Sequence, residues 1–143
     1  GEIIAAFLLA QLEKAVDINK KRMSLWNRYH RELEDLEKGE FLRRPIVPMH
    51  VTHNAHLYYV LTKNTQERIG LTDYLMTKGI LAVTHYVPLH SSPAGRRFSR
   101  SVGNMKVTDR VADTLVRLPL FYDLKVNEQA EILGAIHDYY QRV

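Results

Sequence analysis

The sequence contains no cysteine, which excludes disulfide bonds and thiolate metal sites. It also lacks a glycine-rich phosphate loop, a G-x-S-x-G nucleophile elbow and a carboxylate pair of evident catalytic purpose. The apolar run at residues 3–10 is far shorter than the roughly 20 residues that cross a bilayer. The chain has neither the basic n-region nor the cleavage pattern of a signal peptide. We therefore expect a cytoplasmic protein that does not bind a membrane.

The length and the charge limit the possible functions. The 143 residues suffice for one domain with a hydrophobic core. The net charge is +4, and much of the basic excess lies in three clusters: residues 20–22, Arg43-Arg44, and Arg96-Arg97 with Arg100. Such an excess permits a nucleic acid or a phosphorylated ligand. No basic stripe interleaved with aromatic residues is evident, so we expect no nucleic-acid partner and interpret the first two clusters as solvated surface.

Residues 2–37 predict one long helix, or two helices end to end. Apolar residues recur at steps of mostly three and four between residues 8 and 36, and Gly39 is a plausible stop. Residues 3–10 are apolar all round, which is typical of a helix that is buried on every side. The rest of the chain offers this helix few partners. We therefore expect it to be covered by something outside this chain or by a second copy.

The remaining residues predict short strands and helices. Asn64 with Glu67 resembles a capping box, and it begins a predicted helix over residues 65–78 that Gly79 ends. The other predictions are strands over residues 55–62 and 80–87, a loop over 90–104, a helix over 108–116, an extended segment over 117–124 and a helix over 127–141. This order indicates an α+β domain with a long N-terminal helix and a small sheet that carries helices on one side.

Three histidines at a spacing of three raise the question of a metal site. His50, His53 and His56 would share one face of a helix. Pro48 and the β-branched residues between them favour extended chain instead, in which His53 points away from the other two. We therefore expect no metal.

The segment THYVPLHSSPAGRR, residues 84–97, is the candidate ligand site. A predicted strand ends here and enters a loop that contains two histidines, a tyrosine and two arginines. Binding residues favour loops at strand ends, where a rigid scaffold presents polar groups. Histidine and tyrosine can donate hydrogen bonds, and arginine binds phosphate in a forked geometry. The alternative is a polar surface loop with a satisfied histidine. None of the eight lysines stands out as a Schiff-base nucleophile, so no catalytic residue is assigned.

Four segments together resemble one enzyme family. They are EIIAAFLLAQLEKAVDINKKRMSLWNRY, NAHLYYVL, ILAVTHYVPLHSSPAG and LVRLPLFYDL. In this order they resemble the C-terminal part of the DegT/DnrJ-type sugar-nucleotide aminotransferases. The resemblance extends from Glu2 to about Tyr140, and HYVPLH followed by RLPLFYDL is its most specific part.

The resemblance implies the fold of type I, aspartate aminotransferase-like enzymes that depend on pyridoxal 5'-phosphate (PLP). In that fold a large domain carries the PLP lysine, and a small C-terminal domain packs against it. Residues 1–143 resemble the small domain alone, so we expect a single domain without the PLP lysine and without bound PLP. Two subunits share the active sites in the family, which implies a homodimer. Residues 3–10 are then expected to pack against the large domain and the dimer partner.

The implied reaction is transamination. PLP accepts an amino group from a donor such as glutamate and passes it to the keto carbon of a dTDP-linked keto-deoxysugar, in the biosynthesis of cell-surface polysaccharide and lipopolysaccharide. By the same resemblance, His85, Tyr86 and His90 lie at the active-site edge near the sugar nucleotide. Arg96 and Arg97 are expected at its diphosphate.

Two other classes of protein stay open at this point. The first is a ligand-binding or regulatory module that keeps this fold without catalysis. The second is a basic nucleic-acid-binding domain, which a salt-dependent affinity for DNA would favour. An in-frame upstream domain that carries a lysine would favour the aminotransferase over the non-catalytic module.

Overall fold

A computed structural model describes residues 1–142. Seven helices and three strands follow one another within this part of the chain. Their bounds are α1 Glu2–Glu13, α2 Ala15–Glu32, α3 Glu34–Lys38, β1 Leu42–Arg43, β2 Tyr58–Thr62, α4 Thr65–Thr77, α5 Pro93–Phe98, α6 Lys106–Thr114, β3 Leu115–Leu118 and α7 Val126–Tyr140. None of the helices in residues 1–142 is long and apolar enough to cross a membrane.

The three strands form one antiparallel sheet in the order β1-β2-β3. Tyr58 of β2 lies opposite Leu118 of β3, and Val60 lies opposite Val116. These four residues share one face of the sheet. Directly paired residues point to the same side, and residues two positions apart along a strand also point to the same side. All four are buried, so this face holds the core.

Helices α2, α4 and α7 cover the buried face of the sheet. Tyr29 of α2 stacks on Tyr58, with ring centroids 5.1 Å apart, and its hydroxyl donates to the Pro119 carbonyl at 3.0 Å. Gln129 of α7 is fully buried, and its amide donates to the Leu25 carbonyl oxygen at 2.7 Å. Burial raises the pKa of Tyr29 and Tyr58 and lowers the pKa of His30, which lies beside them. Packing in the core therefore accounts for these pKa shifts.

The opposite face of the sheet is only partly covered, since Leu61 and Leu115 are buried and Val111 of α6 lies beside them. It presents Arg43 of β1, Tyr59 and Leu61 of β2, and Leu115 and Arg117 of β3, as the register requires. Arg43 is exposed and Arg117 is half-buried. We call these five residues the open sheet face, and it borders the candidate site described below.

Several predicted elements are confirmed with shifted bounds, and one is wrong. The long N-terminal helix is divided into α1, α2 and α3 at Lys14 and Leu33. The predicted helix over residues 108–116 ends at Thr114, because Leu115 and Val116 enter β3, and the predicted loop over 90–104 contains α5. The predicted strand over residues 80–87 is wrong. This segment pairs with β3 only at Val83, which lies opposite Arg117. Beyond the end of β3 at Leu118, Pro119 has no N–H to donate to a longer pairing.

Helix α1 lies in solvent along its whole length. Ile3 is 87% exposed and Phe7 is 72% exposed, and none of the residues of α1 is buried. This exposure is consistent with the prediction that residues 3–10 pack against something outside this chain. A helix of 12 residues is marginal in water without tertiary contacts.

The N-cap of α4 gives a test of the local structure. The Asn64 side-chain oxygen accepts from the Glu67 backbone N–H at 2.9 Å, as predicted, and the Glu67 carboxylate accepts from the Lys63 N–H at 3.3 Å. We expect Asn64→Ala to lower the free energy of unfolding by about 0.5–2 kcal/mol, because a first-turn donor loses its partner. Urea denaturation measures this, and Asn64→Asp, which keeps the accepting oxygen, is the matched control. Equal stability of all three forms would contradict the cap assignment.

Candidate functional site

His85 lies between two small cavities. The chain reaches it from Val83, whose backbone N–H donates to the Arg117 carbonyl at 3.1 Å and whose carbonyl accepts from the Arg117 N–H at 2.7 Å. This two-bond bridge fixes the start of the segment at the edge of β3. His85 comes two residues later and extends past the edge. The tertiary fold thus places the first predicted site residue two positions after a backbone bridge to β3.

The first cavity has a volume of about 270 Å³ and is polar. Its lining is Arg68, Thr84, His85, Tyr86, Val87, Pro88, Ser91, Asp109, Ala112 and Asp113. Tyr86 is 80% exposed and packs edge-on against His85, with ring centroids 4.9 Å apart. The Arg68 side chain donates to the Asp113 carbonyl oxygen at 2.7 Å, which ties α4 to α6 beneath the cavity. The structure therefore brings His85 and Tyr86 together in one polar cleft.

The second cavity lies on the other side of His85, against the open sheet face. Its volume is about 320 Å³, and its lining is Arg43, Leu57, Tyr59, Leu61, His85, Val111 and Leu115. Its lining is mainly apolar, and its polar side chains are Arg43, Tyr59 and His85. No acidic side chain of the described residues lines it. A ligand with an apolar body and a polar or anionic end fits this chemistry.

A neighbouring arginine determines which hydrogen bond His85 can make. Arg117 Nη1 lies 3.4 Å from His85 Nδ1. A guanidinium has donors only, so Nδ1 must be the acceptor in this contact. The proton of the neutral imidazole is then on Nε2, which becomes a donor for a ligand oxygen. Arg117 is in turn held by the backbone bridge to Val83.

His90 lies beside the polar cavity but faces Asp109. His90 Nε2 and Asp109 Oδ1 are 2.8 Å apart, an interaction that joins the 88–92 turn to α6. Gly95 permits the turn to close, because a Cβ at this position would lie 1.5 Å from the Leu89 carbonyl oxygen. The Ser92 hydroxyl accepts from the Gly95 N–H at 3.0 Å. In this chain His90 therefore has an intramolecular partner and holds the loop.

Arg96 and Arg97 lie apart from His85 and Tyr86. Both are exposed in the last turn of α5, and the Arg97 guanidinium lies over the Phe98 ring, 4.9 Å from its centroid. Neither arginine lines either of the two cavities beside His85. The prediction that they contact a diphosphate stays a prediction.

The three closely spaced histidines lie in irregular chain. His53 packs edge-on against Trp26 at 4.5 Å between ring centroids, and its Nδ1 accepts from the Ala55 N–H. Within residues 1–142 no group of three or more His, Asp or Glu side chains has the arrangement of a metal site.

The candidate site also contains residues that the sequence pattern did not single out. They are Tyr59, Arg68, Asp109, Asp113 and Arg117, and Arg43, which was interpreted from the sequence as solvated surface, joins them. Arg117 stands within the RLPLFYDL segment that carries the resemblance, but its contact with His85 spans 32 residues of sequence. Such a contact depends on strand pairing, which local periodicity does not specify.

Comparison with known proteins identifies the family. The model of the DegT/DnrJ/EryC1/StrS aminotransferase family matches residues 1–137. The chain belongs to this family. The predicted resemblance is thereby confirmed at the level of the family, which consists of aminotransferases.

Individual relatives agree with the family assignment. The protein MJ1066 of Methanocaldococcus jannaschii, which is uncharacterised, is 27% identical over 139 residues, 94% of this chain and 35% of its own length. The structure of DesV of S. venezuelae in complex with a ketimine intermediate matches with 26% identity and a TM-score of 0.84, over 97% of this chain and 36% of DesV. The PLP form of the sugar aminotransferase Spr1654 of Streptococcus pneumoniae, at 20% identity, shares the fold with a TM-score of 0.86 over 99% of this chain and 36% of its own.

These likenesses confirm the predicted fold class, a small α+β domain of the aminotransferase fold. The chain spans about a third of the length of each of these relatives. The described residues beside His85 do not fit covalent attachment of PLP, because no lysine lines either cavity there.

Proposed function

We propose that residues 1–143 are the small C-terminal domain of a PLP-dependent aminotransferase that converts a dTDP-linked keto-deoxysugar to the amino sugar. The observation that carries the proposal is His85. In a chain of this family, it presents a donor between two cavities, supported by Tyr86 and Arg117. The motifs HYVPLH and RLPLFYDL, which carry the resemblance, supply all three residues.

The more specific proposal is dTDP-4-amino-4,6-dideoxygalactose transaminase, an enzyme of enterobacterial common antigen synthesis. In this proposal the protein is a cytoplasmic homodimer, glutamate is the amino donor, and the product enters cell-surface polysaccharide or lipopolysaccharide. PLP supplies the electron sink when it is bound, and the lysine that holds it comes from outside these 143 residues. The role of this chain is to bind and orient the sugar nucleotide.

Each of the candidate residues has its own proposed part in binding the sugar nucleotide. His85 Nε2 donates to an oxygen of the sugar nucleotide, and the exposed Tyr86 hydroxyl supplies a second donor at the mouth of the polar cleft. His90 is proposed near the sugar nucleotide, and its contact with Asp109 also holds the loop. Arg96 and Arg97 are proposed for the diphosphate, for which their exposure on α5 leaves them available.

The activity is tested on the product of the whole open reading frame that contains these residues. With PLP and glutamate, we expect formation of 2-oxoglutarate that depends on a dTDP-linked 4-keto-6-deoxyhexose. The same sugar linked to UDP is the matched comparison for the nucleotide. Absence of transfer to any nucleotide-linked keto sugar would contradict the proposal and favour the non-catalytic ligand-binding or regulatory module.

His85→Ala in that protein is expected to lower kcat/KM about ten- to a hundred-fold, because a hydrogen bond to a charged or strongly polar ligand contributes about 1.5–3 kcal/mol. Bound PLP, measured by absorbance, should not change. His50→Ala, which removes an exposed histidine outside both cavities, is the control. Unchanged kinetics with a lower Tm would show instead that His85 has only a packing role.

A further inference from the structure

Trp26, the only tryptophan of the chain, contacts two histidines that the candidate site does not use. The ring of Trp26 is buried on α2. The His30 ring stacks on it with ring centroids 4.7 Å apart, and the His53 ring packs edge-on against it at 4.5 Å. Neither of these histidines lines either cavity beside His85. The cluster is therefore a separate feature of the fold.

The surroundings of His30 favour its neutral form. Its Nδ1 atom is buried and has no hydrogen-bond partner within residues 1–142. A protonated imidazole carries a hydrogen on both ring nitrogens, so protonation would bury an unpaired donor. Burial, and after it the charge of Arg44, lowers the pKa of His30.

Charged and titratable groups face His30 from each neighbouring element. They are Glu34 and Glu37 of α3, Arg44 directly after β1, His53 of the connection between β1 and β2, and Tyr58 of β2. The two carboxylates would favour a charged His30, but both already form ion pairs with Arg44, at 3.6 and 2.7 Å respectively. The Arg44 side chain is 12% exposed and donates to the His30 carbonyl oxygen. A charged His30 would therefore lie beside a largely buried cation whose partners are already engaged.

The connection between β1 and β2 is the least constrained element near His30. Within the described chain, residues 45–56 contain one backbone-to-backbone hydrogen bond, from the Val51 N–H to the Pro48 carbonyl at 3.0 Å. Segments with few backbone hydrogen bonds open at a lower free energy than helices and paired strands. The 45–56 loop is therefore the element that can move to admit water to His30.

The conformation of the 45–56 loop is strained at Ala55. This buried residue has a φ of 50°, in the left-handed region that is unfavourable for a residue with a Cβ. Its N–H donates to His53 Nδ1 at 3.3 Å, and its carbonyl accepts from Arg22 Nε at 3.0 Å. The strain favours opening of the loop once the contact of His53 with Trp26 is weakened.

Leu57 and Tyr59 connect this loop to the candidate site. Both residues line a 290 Å³ cavity that the loop forms with Trp26, and both also line the 320 Å³ cavity beside His85. A movement of the loop changes the first cavity directly. It reaches the second cavity through the two residues that the cavities share.

We propose that His30 is the trigger of an acid-sensitive latch, in which the contact of His53 with Trp26 holds the 45–56 loop closed. Protonation of His30 makes the loop leave Trp26, so that water reaches His30 Nδ1, and the cavity beside His85 changes shape. Because the fold favours the neutral imidazole, the closed state is complete above the ordinary histidine pKa of about 6.5 and is lost as the pH falls below it. The inference does not depend on the proposed transamination.

The first test follows the fluorescence of Trp26 in the 143-residue chain from about pH 8 to about pH 5. We expect one transition with a midpoint below about 6.5, in which the emission moves to longer wavelength as water reaches the indole ring. Far-UV circular dichroism should stay constant over this range, because the helices and the sheet are kept. A change in circular dichroism with the same midpoint would show global unfolding and overturn the latch. A midpoint above about 6.5 would also overturn it, because the stacking on Trp26 would then favour the imidazolium.

Variants assign the transition to one histidine. His30→Gln removes the titrating ring and should abolish the transition, and His30→Phe, which keeps a ring against Trp26, repeats the test if the glutamine variant does not fold. His50→Gln changes an exposed histidine of the same loop and is the matched control, with an unchanged midpoint. The transition should also persist in His53→Gln. Its persistence in His30→Gln together with its loss in His53→Gln would overturn the assignment of His30 as the trigger.

The connection to the candidate site is measured by NMR of the isotope-labelled chain. The Leu57 methyl and Tyr59 ring signals should move with the same midpoint as the Trp26 emission, and they should stay constant in His30→Gln. Constant Leu57 and Tyr59 signals in the unmodified chain would contradict the coupling of the loop to the cavity beside His85. These readouts require no enzyme activity, so they are independent of the transamination assay.

Discussion

The 143-residue chain is expected to self-associate in solution through α1, and polar replacement of Phe7 and Leu8 should convert it to a monomer. Phe7 is 72% exposed and Leu8 is 56% exposed, and Ile3, Ile4, Leu9 and Leu12 continue this apolar surface. Each Å² of apolar surface removed from water contributes about 25 cal/mol. Monomers seldom expose contiguous apolar patches beyond a few hundred Å². A second copy of the same helix is the simplest cover, in an isologous dimer.

Sedimentation velocity of the unmodified chain and of Phe7→Ser/Leu8→Ser measures this effect over a range of concentrations. Phe98→Ser/Val102→Ser is the matched control, because these two apolar residues are 77% and 90% exposed but lie outside α1. We expect the control to associate as the unmodified chain does, and circular dichroism should show that the rest of the fold is kept. A monomeric unmodified chain whose α1 amides resist hydrogen exchange would contradict the need for cover from outside.

The chain alone is expected to form no stoichiometric, site-specific covalent adduct with PLP. No lysine lines the two cavities beside His85, and seven of the eight lysines are exposed, with Lys21 half-buried. An exposed lysine outside a built site is expected to react slowly and without selection, because no surrounding groups orient it toward the aldehyde of PLP. The chain should therefore also fail to transaminate by itself.

Borohydride reduction of a mixture with PLP, followed by peptide mass spectrometry, measures the adduct at each lysine. An equal concentration of N-acetyl-lysine gives the background of non-selective reaction. The product of the whole open reading frame, treated in the same way, is the positive control for the proposed aminotransferase. Stoichiometric modification of one lysine in the 143-residue chain would contradict the prediction. Lys63, Lys78 and Lys125, which line other cavities, are the positions to inspect first.

Local features of this protein could be predicted from the amino-acid sequence alone. The periodicity of residues 8–36 specified α2 and its buried residues Leu25, Trp26 and Tyr29, since helical spacing is set by the backbone alone. Asn64 specified the start of α4 through its own side chain. The apolar run at the start of the chain predicted a surface without a partner, and that surface is exposed in this chain. These features depend on neighbours within a few residues.

The pairing of strands and the contacts between distant polar groups could not be predicted without the three-dimensional fold. Residues 80–87 have the composition of a strand, but they pair with the four-residue strand β3 only at Val83. Arg43 and Arg44 are adjacent in one basic cluster, but Arg43 is the last residue of β1 and Arg44 follows it, and only Arg44 forms an ion pair with Glu37. The contact of Arg117 with His85 depends on the same register. Pairing between distant segments is set by the packing of the whole sheet, and a slip of one residue would move every side chain to the other face.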